Sequence, residues 1–345
     1  MNVLCRIIGA ASLLCLSCSA SAGPAKIAMQ EFSVPAHDPG IALYVRNKHP
    51  VGLRTIRGEK VLLFVHGATY SAESTFDLAL NGLSWMDFIA QHGYDVYLVD
   101  VRGYGRSTRP AEMNAPAEQN EPIVHTDTAV SDFSAAVEFI LKRRGVQRLN
   151  LMGWSWGTSI VGWYTVQHNE KVARLVLYAP LWVGKLSPAV TGGDAKLGAY
   201  RSVTPEAVKA RWLASVPEAA RADFIPTGWF EAFVAANFAS DPTDSGLVLR
   251  APNGVLADNR AFWNSDKPLY DPAGIHVPTL LAHAEWDAVF PSPMPYAYFE
   301  KLVNAPYKRY VEIGEGTHSV MIEKNRMQLF EVVQQFLDEE LRAGQ

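Results

Sequence analysis

The sequence predicts an α/β fold, a parallel sheet with helices on both faces. Three observations carry that prediction. Short apolar, β-branched runs recur along the chain, helical patterns alternate with them, and 48% of the 345 residues are hydrophobic, which suits strands buried on both sides.

In chain order, "IALYVRNK" (41–48) and "KVLLFVHG" (60–67) read as strands. "SWMDFIAQHG" (84–93) has apolar residues at helical spacing before a glycine stop, and "YDVYLVDVRG" (94–103) is the next strand. "TDTAVSDFSAAVEFILKRRG" (126–145) is a helix that opens on Thr and Asp and closes on basic residues and glycine, as the helix dipole and a left-handed C-terminal turn favour. Then come "RLNLMGWS" (148–155) as strand, "WGTSIVGWYTVQH" (156–168) as helix and "VARLVLYAP" (172–180) as strand.

After Pro180 the rhythm breaks. Residues 181–275 offer helices, such as "TPEAVKARWLASV" (204–216) and "GWFEAFVAANFA" (228–239), but no clear buried strand, so they read as a helical cap inserted over the sheet. The alternation resumes with "VPTLLAHAEWD" (277–287), a helix near 295–303, "YKRYVEIGEGTH" (307–318) and a terminal helix reaching Leu341. The core is therefore expected over 23–180 and 276–345.

Residues 1–22 read as an address. Arg6 precedes the apolar stretch 7–18, too short to span a bilayer stably, and Ala20-Ser21-Ala22 fits small-residue cleavage. Cleavage after Ala22 and a periplasmic or secreted location are expected. Cys5, Cys15 and Cys18 all lie in this segment, which leaves the mature chain without disulfides, thiol nucleophiles or cysteine-held metals. No later apolar run is long enough to cross a membrane. A net charge of −4 with scattered Lys and Arg argues against a nucleic-acid or anionic-membrane binder and leaves a small molecule as the expected partner.

The chemistry centres on "GWSWG" (153–157). Ser155 falls where a predicted strand turns into a predicted helix, and Gly153 and Gly157 leave room for that sharp turn, so the hydroxyl can project above the sheet. The turn also places the Trp156 amide at a helix start, where it can hold an oxyanion. A serine nucleophile needs a base, and the base needs an orienting acid. His318, in the loop after the last predicted strand, has the setting of the base. Asp287 sits where the preceding strand ends and is preferred over Glu285 as the acid. A second oxyanion donor is expected at Ala68, after the glycine of His66-Gly67, with His66 itself a structural side chain. Trp154, Trp182, Trp229 and Phe233 are the candidate substrate-binding aromatics. His283, Glu285 and Asp287 alternate as metal ligands could, but the triad already accounts for Asp287 and no second ligand cluster is evident. "RGYGRS" (102–107) lacks the third glycine of a dinucleotide loop, and an elbow serine in place of aspartate argues against carboxylate-nucleophile chemistry.

With His66-Gly67, "GYDVYLVDVRGYGRS" (93–107), the serine elbow, "AEWDAVFP" (284–291) and "GTHS" (316–319) in place, the chain resembles α/β-hydrolase-fold serine hydrolases, with an esterase- and lipase-like flavour. The resemblance implies an eight-stranded, mostly parallel sheet, a Ser-His-Asp triad, an acyl-enzyme route and no cofactor. A carboxylic ester of an apolar or aromatic small molecule is the expected substrate. Amide or lactone hydrolysis, or a non-catalytic ligand-binding role on the same fold, are the alternatives.

Overall fold

The computed structural model describes residues 25–54, 56–241 and 248–340, so the expected signal segment lies outside the described residues. The strands are β1 (Ile27–Pro35), β2 (Ala42–Pro50), β3 (Val61–Val65), β4 (Asp95–Val99), β5 (Leu149–Trp154) and β6 (Val172–Tyr178). A long excursion then holds β7 (Tyr200–Val203) and β8 (Leu249–Pro252), and the chain returns with β9 (Thr279–Ala284) and β10 (Lys308–Ile313). Eight of them form one sheet in the order β1-β2-β4-β3-β5-β6-β9-β10. It is parallel from β4 to β10, with β1 and β2 joined antiparallel at one edge. This is the expected eight-stranded, mostly parallel α/β-hydrolase sheet.

The helices are α1 (Ala72–Phe76), α2 (Trp85–Gln91), α3 (Thr126–Arg144), α4 (Trp156–Gln167), α5 (Pro188–Thr191), α6 (Pro205–Leu213), α7 (Trp229–Ala239), α8 (Gly254–Ala261), α9 (Pro293–Lys301) and α10 (Arg326–Asp338). Successive strand residues face opposite layers, as the pleat requires. On β3, Leu63 and Val65 join the core formed with Phe133, Val137, Ile160 and Tyr164 of α3 and α4. Leu62 and Phe64 join the opposite core, with Trp85 and Ile89 of α2 and Phe330 and Val333 of α10. Central strands such as β3 therefore read as unbroken apolar runs because both faces are covered.

Two features depart from the sequence reading. β1 adds an edge strand, and its largely exposed residues carry no apolar run to signal it. The excursion between β6 and β9 contains the antiparallel β7-β8 ribbon as well as helices. That excursion is tied to the sheet layers by specific polar bonds. Asp258 of α8 accepts from both the Thr126 amide and the Thr126 hydroxyl, each at 2.7 Å, and so caps the N-terminus of α3 from outside the helix.

Candidate active site

The order of elements delivers Ser155 to the C-terminal end of the sheet, between β5 and α4. Its backbone is held at φ 57°, ψ −123°, a conformation that costs a non-glycine residue about 1–3 kcal/mol and persists only where the surroundings fix it. Its amide donates to Tyr178 O at 2.9 Å, and its carbonyl accepts from the Thr158 amide at 2.9 Å. The flanking glycines are required by contact. A Cβ on Gly153 would stand 2.2 Å from Gly157 O, and one on Gly157 would stand 2.6 Å from His66 O and 2.7 Å from Val65 O. All of these are backbone atoms with little freedom to yield. The two glycines thus let the turn at Ser155 pack directly on β3.

Asp287 and His318 come from the loops after β9 and β10, and the parallel pairing of those strands sets them side by side. His318 Nδ1 lies 2.8 Å from Asp287 Oδ2. The other carboxylate oxygen, Oδ1, accepts from the amides of Val289 at 2.8 Å and Phe290 at 3.0 Å, which fixes the plane of the acid. The side chain of Asp287 is fully buried, whereas that of His318 is 15% exposed and borders the cavity that Ser155 also borders.

Ala68 and Trp156 line the same cavity. Trp156 is the first residue of α4, so its N–H has no carbonyl one helical turn back. His66 is fully buried, takes the Val101 amide on Nε2 at 3.1 Å and donates from Nδ1 to Gly67 O at 2.7 Å. Burial pushes its pKa down to about 4, so it stays neutral and shapes the loop, as its position suggested.

Both elbow tryptophans have polar anchors. Trp154 Nε1 donates to His318 O at 2.9 Å, a carbonyl that also accepts from the Tyr178 hydroxyl at 2.9 Å. Trp154 therefore borders the cavity and pins the histidine loop together. Trp156 Nε1 donates to Thr126 Oγ1 at 3.0 Å, joining the elbow to the Thr126–Asp258 tie.

Of the remaining candidate aromatics, none borders the cavity of Ser155. Trp182 packs among Trp263, Tyr270 and Tyr298, because the chain leaving β6 turns down beside α9. Trp229 donates to Asn81 Oδ1 at 3.3 Å and lies under the Arg326 guanidinium. Phe233 stands edge-on to Tyr70 at 4.8 Å and backs that wall from outside. The cavity itself is bounded on its apolar side by Tyr70, Leu181, Val255, Leu256, Val289 and Phe290.

Sequence reading missed four polar residues here. Arg201 and Arg211 border the cavity, as does Asn259, whose buried Oδ1 has no hydrogen-bond partner. Glu323, fully buried, accepts from the Thr317 amide at 2.9 Å, from the Thr317 hydroxyl, and from Trp212 Nε1 of α6 at 2.6 Å. Burial, reinforced by the nearby Asp287 charge and opposed by those donors, pushes its pKa up to about 7. Nothing in "SVMIEKNR" (319–326) distinguishes that glutamate from a surface one. Arg250 is paired with Asp241 at 3.0 Å and borders a separate open groove. Among the described residues no three His, Cys, Asp or Glu side chains are grouped to hold a metal, and Glu285 accepts the Glu315 amide at 2.8 Å.

Comparison with known proteins places this geometry. The model of the alpha/beta hydrolase fold matches residues 60–325. The chain is similar to human gastric triacylglycerol lipase, 28% identical over 151 residues that cover 43% of this chain and 37% of that protein. It is also similar to a 2-hydroxy-6-oxononadienedioate/2-hydroxy-6-oxononatrienedioate hydrolase of Paraburkholderia phymatum, 30% identical over 156 residues covering 44% and 48% respectively. The matches thus span less than half the length of these curated relatives. Among solved structures, a thermophilic esterase from Thermogutta terrifontis superimposes with a TM-score of 0.57 at 15% identity, covering 89% of this chain and 98% of that one. A 2-hydroxy-6-oxo-6-phenylhexa-2,4-dienoate hydrolase from Rhodococcus gives 0.59 at 14% identity, covering 91% and 100%. At these identities the structural likeness speaks for the fold.

Proposed function

The chain belongs to the alpha/beta hydrolase fold family, and on that premise we propose that it is an exported serine hydrolase of small-molecule carboxylic esters. The observation that carries the reading is the 2.8 Å bond between His318 and Asp287 at the edge of a cavity shared with the strained Ser155. A buried acid, an imidazole with one nitrogen engaged and a serine forced out of ordinary backbone geometry are what acyl transfer needs in one place.

In the proposed reaction Ser155 Oγ attacks the ester carbonyl carbon while His318 Nε2 takes the hydroxyl proton. The carbonyl oxygen becomes an oxyanion facing the amides of Ala68 and Trp156, and each such donor is worth about 3 kcal/mol of barrier. Collapse breaks the bond to the alcohol, which leaves with the proton from His318 and leaves an acyl ester on Ser155. Water then gives a proton to His318 and attacks, and the acid departs as Ser155 recovers its hydrogen. Asp287 keeps Nδ1 protonated throughout and stabilises the imidazolium. The aromatic and aliphatic wall formed by Tyr70, Trp154, Leu181 and Phe290 favours an acyl or alcohol part that is largely apolar.

Mature protein and its Ser155→Ala variant, assayed on short-chain, long-chain and aromatic esters, test the reading. Turnover by the first and none by the folded second is expected. Equal turnover by both would overturn it. Export belongs to the same proposal, and an N-terminus at Gly23 on protein recovered outside the cytoplasm would support it.

A further inference from the structure

The wall of the cavity carries charge of one sign. Arg201, from β7, and Arg211, from α6, both border it, and no aspartate or glutamate does. Nor does any acid border the adjoining cavity, which Arg211 also lines. Three other largely buried arginines have a carboxylate within reach. Arg102 has Asp132 at 2.6 Å, Arg144 has Asp95 at 2.6 Å, and Arg46 has Glu31 at 2.8 Å. Arg201 and Arg211 have none within 4.0 Å among the described residues; Arg174 and Arg326 also have none, but neither of those borders the cavity of Ser155.

Their hydrogen-bond partners are neutral. Arg201 donates to the carbonyls of Ala68 and Pro252, the latter at 2.6 Å, and to Thr69 Oγ1 at 3.1 Å. These bonds fix the guanidinium against the loop that carries Ala68 without cancelling its charge. Arg211 makes a 2.6 Å bond to the Tyr70 hydroxyl, and its guanidinium lies 5.7 Å from the Tyr70 ring centre. Among the described residues the other guanidinium nitrogens of Arg211 have no hydrogen-bond partner. Burial and the neighbouring Arg211 charge both push the pKa of Arg201 down, the direction expected for a cation that lacks a counter-ion. Two like charges beside one cavity repel unless an anion sits near them, and such a site rewards a ligand that brings the missing charge.

We propose that the cavity of Ser155 takes esters whose acyl part carries a carboxylate, with Arg211 as its direct partner and Arg201 as the fixed charge behind it. The inference rests on the ester-hydrolase reading and sharpens it. Tyr70, Trp154 and Phe290 contact the apolar body of the acyl chain, and the far end of that chain is anionic. The charged wall thereby selects half-esters of dicarboxylic acids over neutral esters of equal length.

The test compares p-nitrophenyl hemiglutarate with p-nitrophenyl 5-methylhexanoate, in which an isopropyl group replaces the carboxylate. Wild type is expected to favour the charged ester by about tenfold to a hundredfold in kcat/KM, the range of a charge-assisted hydrogen bond to a carboxylate. Added salt should narrow that ratio. Arg211→Gln should cut it by at least about tenfold, mainly through KM, and Arg211→Glu should bring it below one. Folding of each variant is checked by its melting temperature. Binding of the hemiglutarate ester to Ser155→Ala, followed by calorimetry, gives a readout independent of turnover. It is expected to weaken when Arg211→Gln is added. Serine-dependent hydrolysis of both esters with no preference for the charged one would overturn this inference and leave the ester-hydrolase reading standing. No hydrolysis of either by folded wild type would overturn that reading and this inference with it.

Discussion

Replacing Asp287 by asparagine alters the candidate site while sparing the fold around it. Oδ1 of Asp287 accepts two backbone amides, from Val289 at 2.8 Å and Phe290 at 3.0 Å. Those donors hold the carbonyl oxygen of an asparagine in the same place and turn its NH2 toward His318 Nδ1, where Oδ2 now stands at 2.8 Å. A donor there forces Nδ1 to be the acceptor, so the proton moves to Nε2, and Nε2 can no longer take the hydroxyl proton of Ser155. The expected loss is about 10,000-fold in kcat, or about 5 kcal/mol of barrier. The stability cost should be far smaller, about 1–2 kcal/mol, because two of the three bonds survive. The change also removes the like charge that helps hold a proton on Glu323, so the pKa of Glu323 should fall. Ester kinetics and thermal melts on the same preparation measure both sides. A loss below about tenfold in kcat, with melting unchanged, would refute the assigned role of Asp287.

Glu323 should leave a signature in the pH dependence of stability. Its pKa in the folded chain is raised from 4.5 to about 7, so its contribution is full below the unfolded value and is lost as pH rises through about 7, at most about 3 kcal/mol. Between about pH 5 and pH 8 the melting temperature of wild type should therefore fall more than that of Glu323→Gln, and parallel curves would contradict this. Gly157→Ala puts a Cβ 2.6 Å from one backbone oxygen and 2.7 Å from another, so it should cost about 3 kcal/mol or more and show a clearly lowered melting temperature. Trp154→Phe removes the bond to His318 O while Tyr178 keeps its own. A stability loss of about 1 kcal/mol and a fall in kcat of about tenfold are expected, read from melts and initial rates.

The parts legible in the sequence are those fixed by local rules. The glycines around Ser155 are needed because neighbouring backbone passes within a methyl group's width, a constraint that any strand-turn-helix elbow of this shape imposes. Asp287 could be placed because it follows a strong apolar strand and His318 because it lies in the loop after the last predicted strand, and the structure brings them within hydrogen-bond distance. β1 was hidden because an exposed edge strand keeps polar residues on both faces. The excursion between β6 and β9 was legible only in its helices. Whether Trp182, Trp229 or Phe233 meets a ligand or a neighbour depends on how that segment folds over the sheet, and all three are covered by side chains distant in sequence. Arg201 and Arg211 were passed over for the same reason, since a lone arginine in a helix or ribbon gives no sign of lacking a partner.

Whether Ser155 takes the acyl group is decided by the intact mass of the protein after reaction with an alkyl fluorophosphonate, followed by peptide mapping. One phosphonyl group per chain, located on Ser155 and absent from Ser155→Ala, is the expected result. Labelling of another residue, equal labelling of the alanine variant, or no labelling of folded wild type would contradict the serine mechanism proposed for this chain.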